Sequence, residues 1–177
     1  MNGEIQVLIA QEEIHKRTVE LGKKLSEDYK GREIHMICIL KGGAMFMSDL
    51  SKQIVMDVPV TMDFMAVSSY GNETSSSGIV KIVKDLDEAI EGKDVLIVED
   101  IIDSGRTLNY LVHILKERKP NSIEICTLLD KPDRRVEEVD VAYVGFEIPD
   151  LFVLGYGLDY LQKYRNLPYI GKMVGIE

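Results

Sequence analysis

The residues best suited to chemistry lie in the segment 95–108, VLIVEDIIDSGRTL. A β-branched run leads there into two carboxylates, Glu99 and Asp100, and then into Asp-Ser-Gly-Arg-Thr and an amphipathic stretch. Glycine permits a tight turn, and a helix that follows it points unpaired N–H groups and its positive dipole end at the turn. Ser104 and Thr107 add hydroxyl donors. These residues predict an anion site sized for a phosphate monoester.

The acid pair beside this turn indicates what else the ligand carries. In a regular strand Glu99 and Asp100 would face opposite ways, so they can serve one ligand only if the strand has already ended. Ionised carboxylates accept hydrogen bonds from paired hydroxyls, or bind Mg²⁺. A phosphate site beside such carboxylates describes a ribose 5-phosphate. Taken alone, Asp103 also fits the N-cap of the following helix.

Two common nucleotide motifs are absent from the sequence. It holds no GxxxxGK[ST] phosphate loop and no GxGxxG dinucleotide pattern. The predicted anion site therefore differs from a P-loop and from a Rossmann turn.

Short β-branched runs alternate along the chain with longer amphipathic segments, and these elements must position the anion site. Apolar residues at helical spacing predict helices at 11–28, 44–55 and 106–118. The predicted strands are 34–40, 60–67, 79–83, 95–99, 123–129, 141–146 and 151–154. This alternation predicts an α/β fold with a mostly parallel sheet flanked by helices. Ligands of such sheets bind at the carboxyl ends of the strands.

One segment interrupts the alternation, the Ser- and Gly-rich stretch 68–78, SSYGNETSSSG. It fits a surface hairpin. It also fits a mobile lid whose single aromatic residue, Tyr70, covers a site. The sequence leaves both interpretations open.

Composition limits the remaining choices. The 177 residues suit one domain, and 30 acidic against 21 basic residues give a net charge of −9, which disfavours nucleic-acid binding. A phosphorylated ligand must then be held by local donors or by a metal.

No apolar run reaches the roughly 20 residues of a membrane span, and the acidic N-terminus does not resemble a signal peptide, so we expect a cytoplasmic protein. Cys38 and Cys126 are predicted to be buried core thiols.

The segment VLIVEDIIDSGRTL resembles the ribose-phosphate fingerprint of the type I phosphoribosyltransferases. The turn Leu40-Lys41-Gly42-Gly43 resembles the pyrophosphate-binding turn of the purine members. Lys131 in LLDKP, the block 146–160 (FEIPDLFVLGYGLDY) and Arg165 resemble the purine- and pyrophosphate-binding parts of the members that act on 6-oxopurines. The resemblance runs from about residue 34 to 166.

This resemblance implies an activity and an architecture. The activity is transfer of the 5-phosphoribosyl group of phosphoribosyl pyrophosphate (PRPP) to N9 of hypoxanthine or guanine, which gives IMP or GMP and pyrophosphate and requires Mg²⁺. The architecture is a single domain over 1–177, with a lid loop at about 68–78 and a small hood formed largely by 146–177 with the N-terminus. Family members form homodimers or homotetramers, so we expect one of these.

The resemblance also implies which residues bind PRPP. The 5-phosphate is bound by Asp103, Ser104, Gly105, Arg106 and Thr107. The ribose hydroxyls, directly or through Mg²⁺, are bound by Glu99 and Asp100. Pyrophosphate is bound by Lys41, Gly42 and Arg165, and in some members the Leu40–Lys41 peptide is cis. A second Mg²⁺ is held by Asp159, which lies beside the purine, and the lid carries Ser69 and Tyr70.

For the purine, the resemblance implies that Lys131 donates to O6, Phe152 stacks on the base and Val153 offers backbone groups to its edge. Asp103 takes the proton from N7 as N9 attacks C1 of the ribose.

Three alternatives follow from the same residues. Lys131 and the FEIPD block disfavour adenine and orotate as substrates, whereas xanthine stays open. A response-regulator receiver is disfavoured because too few residues follow Val95 to form that domain. A regulator that binds PRPP without catalysis stays open, although Asp103 and Lys131 favour an enzyme.

Overall fold

The computed structural model of this chain describes residues 4–69 and 80–174. Its helices are α1 (Gln11–Asp28), α2 (Ala44–Ser51) and α3 (Arg106–Glu117), and a short 3₁₀ turn spans Pro132–Arg134. Its strands are β1 (Glu4–Ile9), β2 (Ile34–Leu40), β3 (Val60–Ser69), β4 (Val80–Lys84), β5 (Asp94–Ile102), β6 (Ser122–Asp130), β7 (Tyr143–Glu147), β8 (Val153–Leu154) and β9 (Ile170–Val174).

A six-stranded sheet in the order β4-β3-β2-β5-β6-β7 forms the centre of the molecule. β4 runs antiparallel to β3, and the other neighbouring strands run parallel. β2 lies at the middle, and its first six residues are all buried, as expected for a parallel strand covered on both faces. The predicted α/β fold with a mostly parallel sheet is confirmed.

The helices cover the two faces of this sheet with the apolar residues that their spacing predicted. On one face α1 and α2 pack Leu25, Phe46 and Leu50 against the sheet. On the other face α3 buries Leu108, Leu111 and Leu115. Both cysteines are free and buried, as predicted.

Several predicted boundaries are wrong by two residues or more. The helix predicted over 44–55 ends at Ser51, because Gln53 and Ile54 bond three residues back, to Leu50 and Ser51, in turn geometry. Ile54 still packs against the core, which explains its helical spacing. The strand predicted at 151–154 shortens to Val153–Leu154. The strand predicted at 95–99 continues through the acid pair to Ile102.

A second sheet, of three antiparallel strands in the order β1-β9-β8, joins the two ends of the described chain. Ile5 pairs with Met173, and Val153 pairs with Lys172. The sequence did not predict β1 or β9, because each finds its partner at the opposite end of the chain. No helix within the described ranges is long and apolar enough to cross a membrane.

Candidate active site

The turn between β5 and α3 has the geometry of an anion site. Gly105 adopts φ of 81° and is the N-cap residue of α3, so the interpretation of Asp103 as the N-cap is wrong. A Cβ at Gly105 would overlap the carbonyl oxygen of Glu137. The Ser104 carbonyl accepts hydrogen bonds from the amides of Val136 (2.9 Å) and Glu137 (3.0 Å), which fixes the turn against that neighbouring segment.

A depression of about 220 Å³ opens above this turn. It is lined by Glu99, Ile101, Ile102, Asp103, Ser104, Gly105, Thr107 and Leu108. The Arg106 amide donates to Ser104 Oγ at 3.4 Å at the start of α3. The structure therefore brings the predicted phosphate-binding residues and Glu99 to one place, at the carboxyl end of β5.

Glu99 and Asp100 meet although the strand continues past them, so the expectation that the strand ends before the pair is wrong. The Asp100 amide donates to Glu99 Oε2 at 3.3 Å, and the Ile101 amide donates to Asp100 Oδ1 at 2.7 Å. Each carboxylate thus accepts a hydrogen bond from the backbone amide of the residue that follows it. Burial raises the pKa of Glu99, and the Asp100 charge raises it further; burial also raises the pKa of Asp100.

This acid pair suits a cation. Within residues 4–69 and 80–174, no lysine or arginine forms an ion pair with Glu99 or Asp100, and no three His, Cys, Asp or Glu side chains cluster in a metal-binding arrangement. Mg²⁺ commonly takes one or two carboxylates and completes its octahedron with water and phosphate oxygens. The donor set therefore fits a Mg²⁺ that arrives with a phosphorylated ligand.

Glu99→Gln is expected to stabilise the protein against unfolding at pH 8, with a smaller gain at pH 5. The raised pKa of Glu99 means that the folded protein holds this proton to higher pH than the unfolded chain does. Wild-type stability therefore falls as pH rises from the ordinary value of 4.5 through the raised folded value, and glutamine removes this loss.

Urea unfolding at both pH values, without divalent cations, measures this difference. The exposed Glu138→Gln is the control and should show no such pH dependence. A Glu99→Gln protein less stable than wild type at pH 8 would contradict the assignment of Glu99 as a buried carboxylate without an ion-pair partner.

Three separate segments stack at this end of the sheet. A Cβ at Gly42 would overlap the Asp100 carboxylate, and a Cβ at Gly157 would overlap the Gly42 carbonyl oxygen. The Leu40–Lys41 peptide before Gly42 is cis. The turn after β2, the acid pair of β5 and the loop after β8 thereby form one continuous surface.

Gly157→Ala is expected to lower the free energy of unfolding by about 2–5 kcal/mol. At φ of 101° a non-glycine residue costs about 1–2 kcal/mol, and the forced overlap with Gly42 adds about 1–3 kcal/mol. Gly92→Ala is the matched control: its φ is 74°, but no atom lies within 4 Å of the added Cβ, so only the backbone cost applies. Urea unfolding compares the two variants, and an equal loss would contradict the close packing of Gly157 on Gly42.

Arg165 lies in a cluster of polar side chains beside this stack. It forms an ion pair with Asp159 (Nη2–Oδ1, 2.8 Å) and donates from Nη1 to the Gly157 carbonyl (2.7 Å). The Gln162 Oε1 accepts from both Lys41 Nζ and Arg165 Nη2, each at 3.3 Å. The structure thus groups Lys41, Arg165 and Asp159. Gln162 was not predicted from the sequence, since its position depends on a φ of 65° that no sequence pattern shows.

Lys131 follows β6 directly, beside the turn between β5 and α3. Its amide donates to the Ile102 carbonyl at 3.0 Å, and its side chain is buried, with Nζ 3.6 Å from Asp150 Oδ1. Phe152 is 56% exposed and contacts Tyr160 edge to face, with ring centroids 5.7 Å apart. Val153 is buried in β8. The exposed Phe152 ring therefore lies two residues along the chain from Asp150, the carboxylate that pairs with the buried Lys131 ammonium.

Asp103 has a partner that the sequence analysis missed. Arg134 Nε donates to Asp103 Oδ1 at 3.1 Å, and both side chains are about half exposed. Arg134 belongs to the 3₁₀ turn after β6, which the sequence did not predict.

The predicted lid falls mostly outside the described residues. Ser69 is the last residue of β3 and pairs with Val80 of β4. Tyr70 lies outside the described residues, so the choice between a hairpin and a lid stays open.

Comparison with known proteins gives consistent matches. Residues 9–161 match the phosphoribosyl transferase domain family. The hypoxanthine-guanine phosphoribosyltransferase of Bacillus subtilis is 57% identical over 166 residues, which cover 94% of this chain and 91% of that protein. A bifunctional protein TilS/HprT of Listeria monocytogenes is 55% identical over 97% of this chain, which spans only 26% of that longer protein.

A solved structure agrees with these matches. A hypoxanthine phosphoribosyltransferase of Staphylococcus aureus is similar with a TM-score of 0.91 and 53% identity, covering 96% of this chain and 91% of that one. The similarity in sequence and in structure therefore extends over nearly the whole chain.

Proposed function

The chain belongs to the phosphoribosyl transferase domain family, and on that premise we propose that it transfers the 5-phosphoribosyl group of PRPP to N9 of hypoxanthine or guanine. The observation that carries the proposal is the stack of Gly157 on Gly42 and of Gly42 on Asp100. It brings the turn after β2, the acid pair and the loop that holds Arg165 against one another, which supports a single site for PRPP.

PRPP would lie across the carboxyl ends of the strands. The 5-phosphate would occupy the depression above the turn Asp103–Thr107, where the amides at the start of α3 meet hydroxyl groups. The pyrophosphate would contact the backbone of Lys41 and Gly42 and the guanidinium of Arg165. Because the protein carries a charge of −9, these local donors must outweigh a repulsive overall field.

Phosphoribosyltransferases generally use Mg²⁺ with PRPP, and we infer the same here. Glu99 and Asp100 would hold it with the ribose hydroxyls, and Asp159 would hold a second ion beside the pyrophosphate. When bound, Mg²⁺ neutralises the leaving pyrophosphate and acts as a Lewis acid. Neither carboxylate forms an ion pair with a lysine or arginine among the described residues, which supports this assignment.

The purine would stack on the exposed face of Phe152, with its edge against the backbone of Val153. Lys131 would donate to O6. A 6-amino group presents a donor to this ammonium, and a buried unpaired donor discriminates strongly between substrates, so 6-oxopurines are favoured over adenine.

The proton would leave through Asp103. The C1–oxygen bond to pyrophosphate breaks, the N9–C1 bond forms, and the N7 proton passes to the Asp103 carboxylate. Asp103 is half exposed in the open site, within reach of a ligand above the phosphate turn. The oxocarbenium-like ribose needs protection from water, which a lid carrying Ser69 and Tyr70 would provide.

The other parts of the proposal concern the whole chain. Residues 1–177 would form one domain, with the sheet β1-β9-β8 as a hood over the purine. We propose a cytoplasmic homodimer or homotetramer that binds neither nucleic acid nor membrane.

The test is product analysis. Wild-type protein with PRPP, Mg²⁺ and hypoxanthine or guanine should yield IMP or GMP and equimolar pyrophosphate, and excess EDTA should abolish both. Binding of PRPP with no nucleotide formed would instead support a regulator without catalysis.

A further inference from the structure

Four charged side chains of alternating sign form a continuous series, here called the charge chain: Asp103, Arg134, Asp150 and Lys131. Arg134 Nε lies 3.1 Å from Asp103 Oδ1, and Arg134 Nη1 lies 3.7 Å from Asp150 Oδ2. Lys131 Nζ lies 3.6 Å from the other oxygen of Asp150. One carboxylate thus bridges the two cations, and one guanidinium bridges the two carboxylates.

The sheet places the two ends of the charge chain side by side. Ile102 of β5 and Asp130 of β6 are paired in register, and Asp103 and Lys131 are the residues that directly follow them. The Lys131 amide also donates to the Ile102 carbonyl at 3.0 Å. The two ends therefore leave the sheet from the same level, and the side chains of Arg134 and Asp150 connect them.

The charge chain is poorly suited to a role in folding. Asp103, Arg134 and Asp150 have side-chain exposures of 46%, 52% and 54%, and exposed ion pairs add little to stability. Lys131 differs, because its side chain is 10% exposed and a buried ammonium needs an anion. Within the described ranges, Asp150 is the carboxylate that forms an ion pair with Lys131.

We propose that Arg134 and Asp150 are positioning residues that fix the spacing between the Asp103 carboxylate and the Lys131 ammonium. This inference rests on the proposed function, in which those two groups contact N7 and O6. The two purine atoms lie on the same edge of the base, so one fixed spacing serves both contacts. Arg134 occupies Oδ1 of Asp103, and Oδ2 has no hydrogen-bond partner among the described residues and can face N7.

The test compares Arg134→Gln, Arg134→Lys, Asp150→Asn and the double variant Arg134→Gln/Asp150→Asn. Each single neutral variant should lower kcat/KM for hypoxanthine about tenfold, since loss of alignment slows reactions steeply. The KM for PRPP should change less than about twofold, because the charge chain is assigned to the purine side of the site. Arg134→Lys should recover part of the lost kcat/KM, because lysine keeps the positive charge but lacks the planar guanidinium that contacts both carboxylates.

In the double variant, kcat/KM should fall by much less than the product of the two single losses, because both substitutions interrupt the same charge chain. Asp133→Asn, an exposed neighbour in the same 3₁₀ turn, is the control and should match wild type. Thermal unfolding should move by less than about 3 °C in Arg134→Gln, Arg134→Lys and Asp133→Asn, whose native side chains are exposed, and these variants separate positioning from folding. The variants that carry Asp150→Asn leave the buried Lys131 ammonium without its anion, so they are expected to unfold at a lower temperature and are assayed well below it.

Two outcomes would overturn the inference while leaving the proposed function intact. One is an active wild type whose Arg134→Gln and Asp150→Asn variants keep full kcat/KM for hypoxanthine. The other is single losses that multiply fully in the double variant, or that appear chiefly in the KM for PRPP. A wild-type protein that forms no nucleotide would overturn both the inference and the proposed function.

Discussion

Asp103→Asn is expected to lower kcat by about 10²–10⁴ with little change in stability. A general base contributes about that factor, and an asparagine amide cannot accept the N7 proton. Asparagine has nearly the shape of aspartate, and its carbonyl oxygen can still accept the hydrogen bond from Arg134 Nε. The side chain is 46% exposed, so folding should be hardly affected. Turnover at saturating hypoxanthine and PRPP, with a thermal melt, measures both effects.

Asp133→Asn is the matched control for that experiment, since it removes an exposed carboxylate thirty residues further along the chain, in the turn that carries Arg134. Its kcat should equal that of wild type. If Asp103→Asn turned over at the wild-type rate, Asp103 would not be the proton acceptor, and another group would have to take the N7 proton.

Lys131→Met is expected to lower kcat/KM for hypoxanthine by about 10- to 100-fold without a matching loss for adenine. A hydrogen bond from a charged donor is worth about 1.5–3 kcal/mol, and its loss leaves O6 unpaired in a buried site. Methionine keeps the length of the apolar stem, and Asp150 is 54% exposed, so water can solvate the carboxylate that loses its partner. Parallel measurement of kcat/KM with hypoxanthine and adenine tests this expectation.

Lys116→Met is the control for Lys131→Met, because Lys116 is an exposed lysine in the last turn of α3. It should leave the kcat/KM for both bases unchanged. A Lys131→Met protein that retained wild-type kcat/KM for hypoxanthine would show that the lysine does not donate a hydrogen bond to O6.

The elements that sequence could predict are those whose packing pattern is local. The spacing of Ile14, Thr18, Leu21 and Leu25 predicted α1 over 11–28, and all four residues are buried. The apolar run of β2 was likewise predicted with its observed bounds. By contrast, β1 and β9 pair with each other across almost the whole length of the chain, and no local pattern reports such pairing.

In the candidate site, too, features encoded in one short segment could be predicted, and contacts between distant segments could not. The acid pair and the turn Asp103–Thr107 lie in one short segment of the sequence, and the depression above that turn is lined by Glu99 as well. The bending of Glu99 and Asp100 back on their own backbone could not be predicted, because it depends on side-chain torsions. Arg134, Asp150 and Gln162 were missed because their partners lie in other segments, up to 121 residues away for Gln162 and Lys41.

The proposed activity is tested by nucleotide formation from PRPP and Mg²⁺, with hypoxanthine, guanine, xanthine and adenine assayed in parallel. We expect turnover of hypoxanthine and guanine far above any turnover of adenine, and xanthine shows how strictly the site selects the substituent at position 2. Turnover of adenine at a comparable rate would contradict the role of Lys131 while leaving the fold intact. No turnover of any base, with PRPP still bound, would contradict the proposed enzyme.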